Sequence, residues 1–155
     1  MSIVNRNFKD IIKPVKYQYF IASRWRNRDK VLELVKQLRE RNKTVFSFFE
    51  GSKKVFSIFD SKLDPESVMK KFESTKKWQK DQRVRKIFEK DVEGLKKAKV
   101  LILLLPAGKS AHIEAGVAYG LGKKCILIGD QKEAESLYFI FDEIYPSIDD
   151  YLKNL

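Results

Sequence analysis

The chain has 155 residues, of which 43% are hydrophobic and 34% charged. This composition excludes a disordered chain, and the chain is long enough to bury a core. The formal net charge of +11 is spread along the whole length, for example in the lysine pairs 53–54 and 123–124. A scattered lysine excess is typical of a solvated surface that attracts small anions, so we predict no specific nucleic-acid partner.

Cys125 is the single cysteine, which excludes an internal disulfide. It lies in the apolar run 125–128, where a buried thiol is more typical than a nucleophile. Residues 1–16 lack the long uncharged core of a signal peptide, and no apolar run approaches the length of a membrane span. We therefore expect a cytoplasmic protein without a membrane partner.

The first part of the chain predicts a βαβ unit. A strand is predicted at residues 17–22 and a second one at residues 44–48. The polar residues 23–28 follow the first strand. Hydrophobic residues then recur at helical spacing up to Arg41, namely Val31, Leu34, Val35 and Leu38. Two strands joined by a helix predict a parallel sheet.

The segment 49–82 has no single clear pattern. Its beginning is compatible with two structures, a hairpin around residues 50–54 and a single strand followed by an aromatic loop. The sequence does not decide between them. Hydrophobic residues at 68, 69 and 72 predict a short helix near its middle. We expect its phenylalanines to pack in the core, and a mobile lid is the functional alternative.

From Arg83 onward the elements alternate regularly. One helix carries an inward stripe formed by Val84, Ile87, Phe88, Asp91, Val92 and Leu95. The elements predicted after it are a buried strand at 100–105, a helix at 111–122, a strand at 125–128, a strand at 137–141 and a helix at 147–155.

These elements predict a single α/β domain over residues 1–155. We expect a flavodoxin-like or Rossmann-like three-layer sandwich with a mostly parallel sheet of about five strands. Residues 1–16 form an N-terminal extension of this domain, and residues 49–82 a variable loop or lid.

The letters Gly108-Lys109-Ser110 match the end of a phosphate-binding P-loop. A P-loop also needs a glycine five residues earlier, where this chain has Leu103, so a P-loop is excluded. A strand that ends at Pro106 and a helix that begins near Ala111 still present backbone N–H groups to an anion. The turn therefore predicts an anion site.

Two carboxylates lie on helix faces that otherwise look buried. Asp91 is the polar member of the stripe after Arg83, and Glu114 lies in the almost wholly apolar helix that follows. A carboxylate buried alone is costly, so each must be paired, hydrogen-bonded or functional. Helical rise and strand length place both near the carboxyl ends of the strands, where open α/β sheets bind ligands.

Structural alternatives remain for both carboxylates. Glu114 could favour the positive end of its helix, and Asp91 could cap a helix or pair with an arginine of the first loop. Because Arg24 and Arg26 are predicted at the same end of the sheet as this pair, the functional interpretation gains weight.

Three stretches carry a resemblance to a known family: "YFIASRWRNRD", "DVEGLKKAKVLILLLPAGKSAHIEAGVAYGLGKKCILI" and "EAESLYFIFDEIYPSIDDYL". On these residues the sequence resembles the nucleoside 2-deoxyribosyltransferase-like superfamily. The resemblance covers most of the chain outside residues 1–16 and 43–82.

The resemblance implies cleavage of an N-glycosidic bond in a nucleoside or nucleotide. It implies that Glu114 attacks the anomeric carbon and that Asp91 positions the substrate or moves a proton, the chemistry of a retaining glycosidase. Neither a metal nor a cofactor is expected. The substrate- and phosphate-binding residues predicted from the first loop and the turn are Ser23, Arg24, Trp25, Arg26, Gly108, Lys109, Ser110 and His112.

One position departs from the classical transferases. They carry a second aspartate six residues before the nucleophile, where this chain has Gly108. Nucleotide-hydrolysing relatives use small or hydroxyl residues in this turn to accept a 5′-phosphate, so the departure favours a phosphorylated substrate over base exchange.

Two other functions remain open, a nucleotide or nucleotide-sugar binding module without turnover and an NAD glycohydrolase. The resemblance also implies a homodimer or a higher homo-oligomer. In such an assembly a neighbour's C-terminal segment, around Asp142 or Tyr145, completes the site; ordinary packing is the alternative for these two residues.

Overall fold

The structure is a computed structural model that describes residues 13–51 and 64–155. Its strands are β1 (Tyr17–Ala22), β2 (Val45–Ser47), β3 (Ala98–Leu104), β4 (Lys124–Ile128) and β5 (Glu143–Tyr145). Its α-helices are α1 (Arg28–Glu40), α2 (Phe48–Gly51), α3 (Pro65–Glu73), α4 (Gln82–Lys96), α5 (Lys109–Gly120) and α6 (Ile148–Lys153). Short 3-10 helices occur at Trp25–Asn27, Trp78–Lys80 and Ser136–Ile140.

The five strands form one sheet in the order β2-β1-β3-β4-β5, and every pairing in it is parallel. Helices α1 and α6 cover one face, where Leu34 and Tyr151 pack with Ile102. Helices α4 and α5 cover the other face, where Leu95 and Ala115 join a second core cluster. The predicted three-layer, flavodoxin-like α/β fold is confirmed.

The central strands are buried on both faces because helices lie on each side of them. The last four residues of β3 and of β4 are all buried. The sequence of such a strand is continuously apolar and does not alternate between apolar and polar residues. This is why residues 100–105 and 125–128 were predictable from sequence.

The parallel register brings the loops after β1, β3 and β4 to the same edge of the sheet. Ala22 pairs with Leu103, and Leu104 pairs with Ile128, each close to the carboxyl end of its strand. The chain segments that follow these strands are therefore neighbours in space.

The predicted strand at residues 137–141 is wrong. Residues 136–140 form a 3-10 helix that the Glu135 side chain caps by accepting a hydrogen bond from the Leu137 N–H, 2.9 Å. Leu137 and Phe139 are 72% and 94% exposed, so this apolar run does not enter the core. The last strand is β5, further along the chain.

Three other expectations need correction. Phe88 is 52% exposed, although it was assigned to the inward stripe of its helix. Residues 48–51 form α2, so the hairpin alternative is wrong at Glu50 and Gly51; residues 52–63 lie outside the described residues. The helix predicted at 111–122 begins at Lys109 and ends at Gly120, since Gly122 (φ 70°) starts a Schellman turn there.

The short helix predicted within residues 49–82 is confirmed as α3. Its N-cap is Asp64, whose side chain accepts a hydrogen bond from the Ser67 N–H, 3.1 Å. Cys125 is buried, as predicted. Among the described residues, no helix combines the length and the hydrophobicity that crossing a bilayer requires.

Candidate active site

A cavity of about 300 Å³ lies at the carboxyl edge of β1 and β3. Four segments form its walls: the loop after β1, helix α3, the middle of α4 and the beginning of α5. The predicted site residues that line it are Ser23, Arg24, Trp25, Arg26, Asp91, Gly108, Lys109, Ser110 and Glu114. The fold therefore brings nine of the ten predicted residues to one cavity.

Asp91 and Glu114 face this cavity from two neighbouring helices, α4 and α5. Glu114 is the sixth residue of α5, beyond the first turn. The N-cap of α4 is Asp81, and no ion pair involves Asp91 in the described part of the chain. The structural alternatives proposed for the two carboxylates therefore do not apply in this structure.

The two carboxyl groups are hard to ionise. Burial raises the pKa of Asp91 to about 7, with a small opposing effect of Lys90. Burial, and then the charge of Asp91, raises the pKa of Glu114 well above its usual range. The Asp91 Oδ1 atom is buried and has no hydrogen-bond partner among the described residues. Such a coupled pair retains a proton at neutral pH.

The beginning of α5 forms the polar end of the cavity. Its N-cap is Gly108, which has no side chain to bond the first N–H groups of the helix. Arg24 and Lys109 line the cavity beside it, and the described residues contain no ion pair of either one. Unbonded N–H groups at a helix N-terminus next to two cations suit an anion.

The hydroxyl group of Ser23 bonds to the backbone of the β3–α5 turn. It donates to the Leu104 carbonyl, 2.8 Å, and accepts from the Asn27 side-chain amide, 3.0 Å. Asn27 also donates to the Leu105 carbonyl, 3.4 Å, and is only 8% exposed. Ser23 therefore holds the turn, and its proton is not available to a phosphate. Sequence patterns do not single out Asn27, because many exposed loops contain asparagine.

Arg26 is already engaged by helix α3. Its guanidinium pairs bidentately with Glu66, including a contact of 3.0 Å, and reaches Glu73 at 3.5 Å. The hydrogen bond from Arg26 is the main cause that lowers the pKa of Glu66. Arg26 thus joins the β1 loop to α3, and a substrate phosphate would have to compete with two carboxylates for it.

One wall of the cavity is aromatic. The centroid of the Trp25 ring lies 4.7 Å from the ring centroid of Phe49. It lies 5.6 Å from the ring centroid of Phe48, which it meets edge to face. Phe72 and Met69 of α3 complete this wall. The sequence predicted Trp25 and assigned the phenylalanines to the core; this holds for Phe49, which is 8% exposed in a core cluster, while it also lines the cavity. Their ordinary apolar pattern gives no sign that one side faces a cavity.

His112 does not line this cavity. Its Nδ1 donates to the Gly108 carbonyl, 2.8 Å, and its Nε2 accepts from the Tyr138 hydroxyl, 2.7 Å. It lies instead at a larger groove of about 580 Å³ between α5 and residues 131–141, whose two carboxylates, Glu133 and Glu135, are exposed rather than buried. In this structure the His112 side chain stabilises the β3–α5 turn by its hydrogen bond to Gly108, outside the cavity.

No model of a known protein family matches the chain, and no curated protein sequence is significantly similar to it. Among solved structures, it is similar to the 2-deoxyribosyltransferase of the psychrotolerant bacterium Bacillus psychrosaccharolyticus. The TM-score is 0.60 at 18% sequence identity, over 86% of this chain and 89% of that one.

A second similar structure is the CMP N-glycosidase BcmB of Clostridium botulinum, with a TM-score of 0.48 at 18% identity, over 88% of this chain and 96% of that one. At such identities the likeness concerns the fold. The chain therefore shares the fold of the 2-deoxyribosyltransferase of Bacillus psychrosaccharolyticus.

Proposed function

We propose that the protein cleaves the N-glycosidic bond of a nucleoside 5′-monophosphate or a nucleoside. The observation that carries this proposal is the pair Asp91 and Glu114 in one cavity, between an aromatic wall and an anion-binding helix end. The fold likeness to a 2-deoxyribosyltransferase supports it, because that protein's name describes transfer of a deoxyribosyl group.

In the proposed first step, Glu114 attacks the anomeric carbon of the sugar. The bond between this carbon and the base nitrogen breaks, and its electron pair leaves with the base, which takes a proton from Asp91. The raised pKa of Asp91, about 7, suits this task because the carboxyl group remains a proton source near neutral pH. The reactive protonation state has the shared proton on Asp91 and a charged Glu114.

In the second step, water attacks the same carbon and releases Glu114 from the sugar. Asp91, now a carboxylate, accepts the proton of that water, so both groups return to their starting state. Two displacements at one carbon retain its configuration. A second base in place of water would give transfer rather than hydrolysis.

The remaining walls would hold the two ends of the substrate. Trp25, which is partly exposed and lines the cavity, offers a ring face on which a base stacks. Arg24, Lys109 and the N-terminus of α5 would hold the phosphate. Gly108 supports this assignment, since an aspartate there would repel a phosphate.

The test is to incubate the protein with a panel of nucleosides and nucleoside monophosphates and to measure free base by chromatography. We expect release from at least one monophosphate, and a loss of more than about a thousandfold in Glu114→Gln, since the amide is not a nucleophile. An exposed carboxylate on the same helix layer, Glu89→Gln, serves as the control. The proposal fails if every base stays attached, or if Glu114→Gln releases base at the wild-type rate.

One observation favours a binding module instead. Because burial raises the pKa of both carboxyl groups, they can hydrogen-bond a base in their neutral forms without acting as nucleophiles. This alternative predicts that a nucleotide raises the Tm and is recovered intact. Including NAD in the panel and measuring nicotinamide separates the third alternative, an NAD glycohydrolase.

A further inference from the structure

The segment Lys70–Lys90, here called the basic segment, carries much of the protein's positive charge. It contains nine basic and three acidic residues, a net +6 of the total +11. It also links two walls of the cavity, since Phe72 and Glu73 lie at its beginning and Ile87 near its end. The charge is therefore concentrated beside the site, although lysines also occur along the rest of the sequence.

The connection Ser74–Asp81 within this segment lies at the edge of the sheet where the cavity is. Only Lys97 separates α4 from β3, so the helix runs back along the sheet and begins at the carboxyl edge of the strands. The connection ends where α4 begins and starts where α3 leaves the cavity wall. The connection therefore lies at the same edge of the sheet as the cavity, between two of its walls, although none of residues 74–81 lines it.

Three exposed lysines of this connection are not neutralised. In the described part of the chain, Lys76, Lys77 and Lys80 form no ion pair. Nearby charges behave differently, since Arg85 pairs with Glu89 and Arg26 with Glu66. Unpaired cations at a cavity entrance raise the local concentration of anions.

Trp78 stands among these lysines with 56% of its surface exposed. It lies in a 3-10 turn closed by hydrogen bonds from the Lys80 N–H to the Lys77 carbonyl, 2.9 Å, and from the Asp81 N–H to the Trp78 carbonyl, 3.1 Å. An exposed indole on a closed turn offers a flat face at little entropic cost. Trp78 belongs to none of the core clusters of the described residues.

Lysines that flank an exposed aromatic ring match the chemistry of single-stranded nucleic acid. The lysines bind successive phosphates, and a base stacks on the ring. An anionic membrane or an acidic peptide would use the lysines but would leave the indole face and the adjoining aromatic cavity without a role.

We propose that the connection Ser74–Asp81 binds single-stranded nucleic acid and presents a nucleotide of the strand to the cavity. The binding part of this proposal depends only on the exposed residues Lys76, Lys77, Lys80 and Trp78. Presentation of a nucleotide to Asp91 and Glu114 rests on the proposed function and requires an unpaired base, as in other enzymes that act on bases.

The charge contribution is tested by fluorescence anisotropy with a labelled twelve-residue oligothymidylate between 50 and 200 mM salt. The triple variant Lys76→Gln/Lys77→Gln/Lys80→Gln should bind at least about tenfold more weakly and lower the salt slope by about 2, since each phosphate contact contributes about 0.7. The control is Lys16→Gln/Lys43→Gln/Lys99→Gln, which removes the same charge at the amino edge of the sheet. The proposal is overturned if both triples weaken binding equally or if wild type does not bind.

The stacking contribution is tested with Trp78→Ala, Trp78→Phe and an abasic strand of equal length. Trp78→Ala should weaken oligothymidylate binding about fivefold or more, Trp78→Phe should recover most of it, and the abasic strand should not distinguish the three proteins. A duplex or phosphatidylserine vesicles bound as tightly as the single strand would contradict the proposal.

Base release from mononucleotides separates this proposal from the proposed function. At a saturating concentration of a monophosphate, the lysine triple should release base at the wild-type rate, since none of the three lysines lines the cavity. If mononucleotides lose their base while wild type binds no strand, only the nucleic-acid surface is refuted. If the strand binds as expected while no substrate loses its base, the proposed function and the presentation of a nucleotide to the cavity are refuted, and the nucleic-acid surface stands.

Discussion

Asp91 and Glu114 decide, at the residue scale, how the protein responds to pH. A carboxyl group with a folded pKa above its unfolded value binds more protons when the chain is folded, so the folded state loses stability as the pH rises between the two values. For Asp91 these values are 3.8 and about 7. The pair therefore destabilises the free protein most strongly above neutral pH, which is the energetic cost of keeping a proton in the cavity.

The first prediction follows from this linkage. Asp91→Asn removes the ionisable group, so it should raise the Tm at pH 8 by about 5 °C and have little effect at pH 4, where the wild-type group is already neutral. The measurement is a series of thermal melts from pH 4 to pH 8. The exposed, ion-paired Glu89→Gln should show no such trend. A Tm difference that is the same at both ends of the range would contradict the assignment.

Gly108 supplies the second prediction. Its φ of −95° is open to any residue, and a Cβ there would lie 3.8 Å from the Arg24 Cβ, an ordinary contact. Gly108→Asp should therefore fold but repel a phosphate, raising KM for a nucleoside monophosphate at least about tenfold more than for the corresponding nucleoside. Gly108→Ala is the control for size. Equal effects on both substrates would exclude a phosphate at this turn.

At the scale of the element, the contact between α4 and β2 is governed by Gly94. A Cβ at this position would lie 2.6 Å from the ring of Phe46, which is itself stacked on Phe20 at 5.1 Å. The Phe46 ring also meets the ring of Tyr17 edge to face, with centroids 5.4 Å apart, so two aromatic neighbours oppose its displacement. The close approach of helix and sheet at this point depends on glycine.

The third prediction compares two helical glycines. Gly94→Ala should destabilise the protein by roughly 1–3 kcal/mol because of overpacking, although alanine favours a helix. Gly116→Ala in α5 meets no atom within 4 Å and should stabilise it by up to about 1 kcal/mol. Urea unfolding of both variants measures the difference. The packing argument is wrong if the two substitutions change the free energy of unfolding in the same direction.

Asn27 joins two elements that lie far apart in sequence, the loop after β1 and the turn after β3. The fourth prediction is that Asn27→Ala costs about 1–3 kcal/mol, because it leaves buried acceptors without their donor. The exposed Gln79→Ala is the control. Denaturant unfolding provides the measurement, and a cost as small as that of the control would show that the turn does not depend on this bond.

At the scale of the whole molecule, several large apolar side chains remain exposed on α5 and on the segment beside it. Ile113 and Val117 lie one helical turn apart on this helix and are 66% and 40% exposed, and Leu137 and Phe139 lie on the neighbouring segment. Monomeric proteins rarely leave large contiguous apolar patches uncovered. The predicted homo-oligomer gains a candidate interface here.

The fifth prediction is that the wild-type protein is a dimer or larger and that Ile113→Lys shifts it toward the monomer. Light scattering after size-exclusion chromatography gives the mass, and the exposed Leu32→Lys on α1 is the control. A wild-type monomer at micromolar concentration would refute it. Asp142 and Tyr145 already serve their own chain, since Asp142 accepts from the Cys125 N–H at 2.8 Å and Tyr145 donates to Glu143 at 2.8 Å.

The sequence by itself determined the parallel sheet, and it pointed to the carboxyl ends of the strands, where the cavity lies. Strands buried on both faces are written as continuous apolar runs, and amphipathic helices as stripes at helical spacing, so β3, β4 and α1 follow from local patterns. Asp91 and Glu114 were found in the same way, because a carboxylate on an apolar face has no local explanation.

Only the tertiary structure decided the partners of the polar side chains. The Arg26 pair with Glu66 spans 40 positions, and the Asn27 bond to Leu105 spans 78. Such contacts depend on how elements pack in three dimensions, for which no pattern within one element is informative. For the same reason, only the structure shows that His112 lies outside the cavity and that its wall contains Phe48, Phe49 and Phe72.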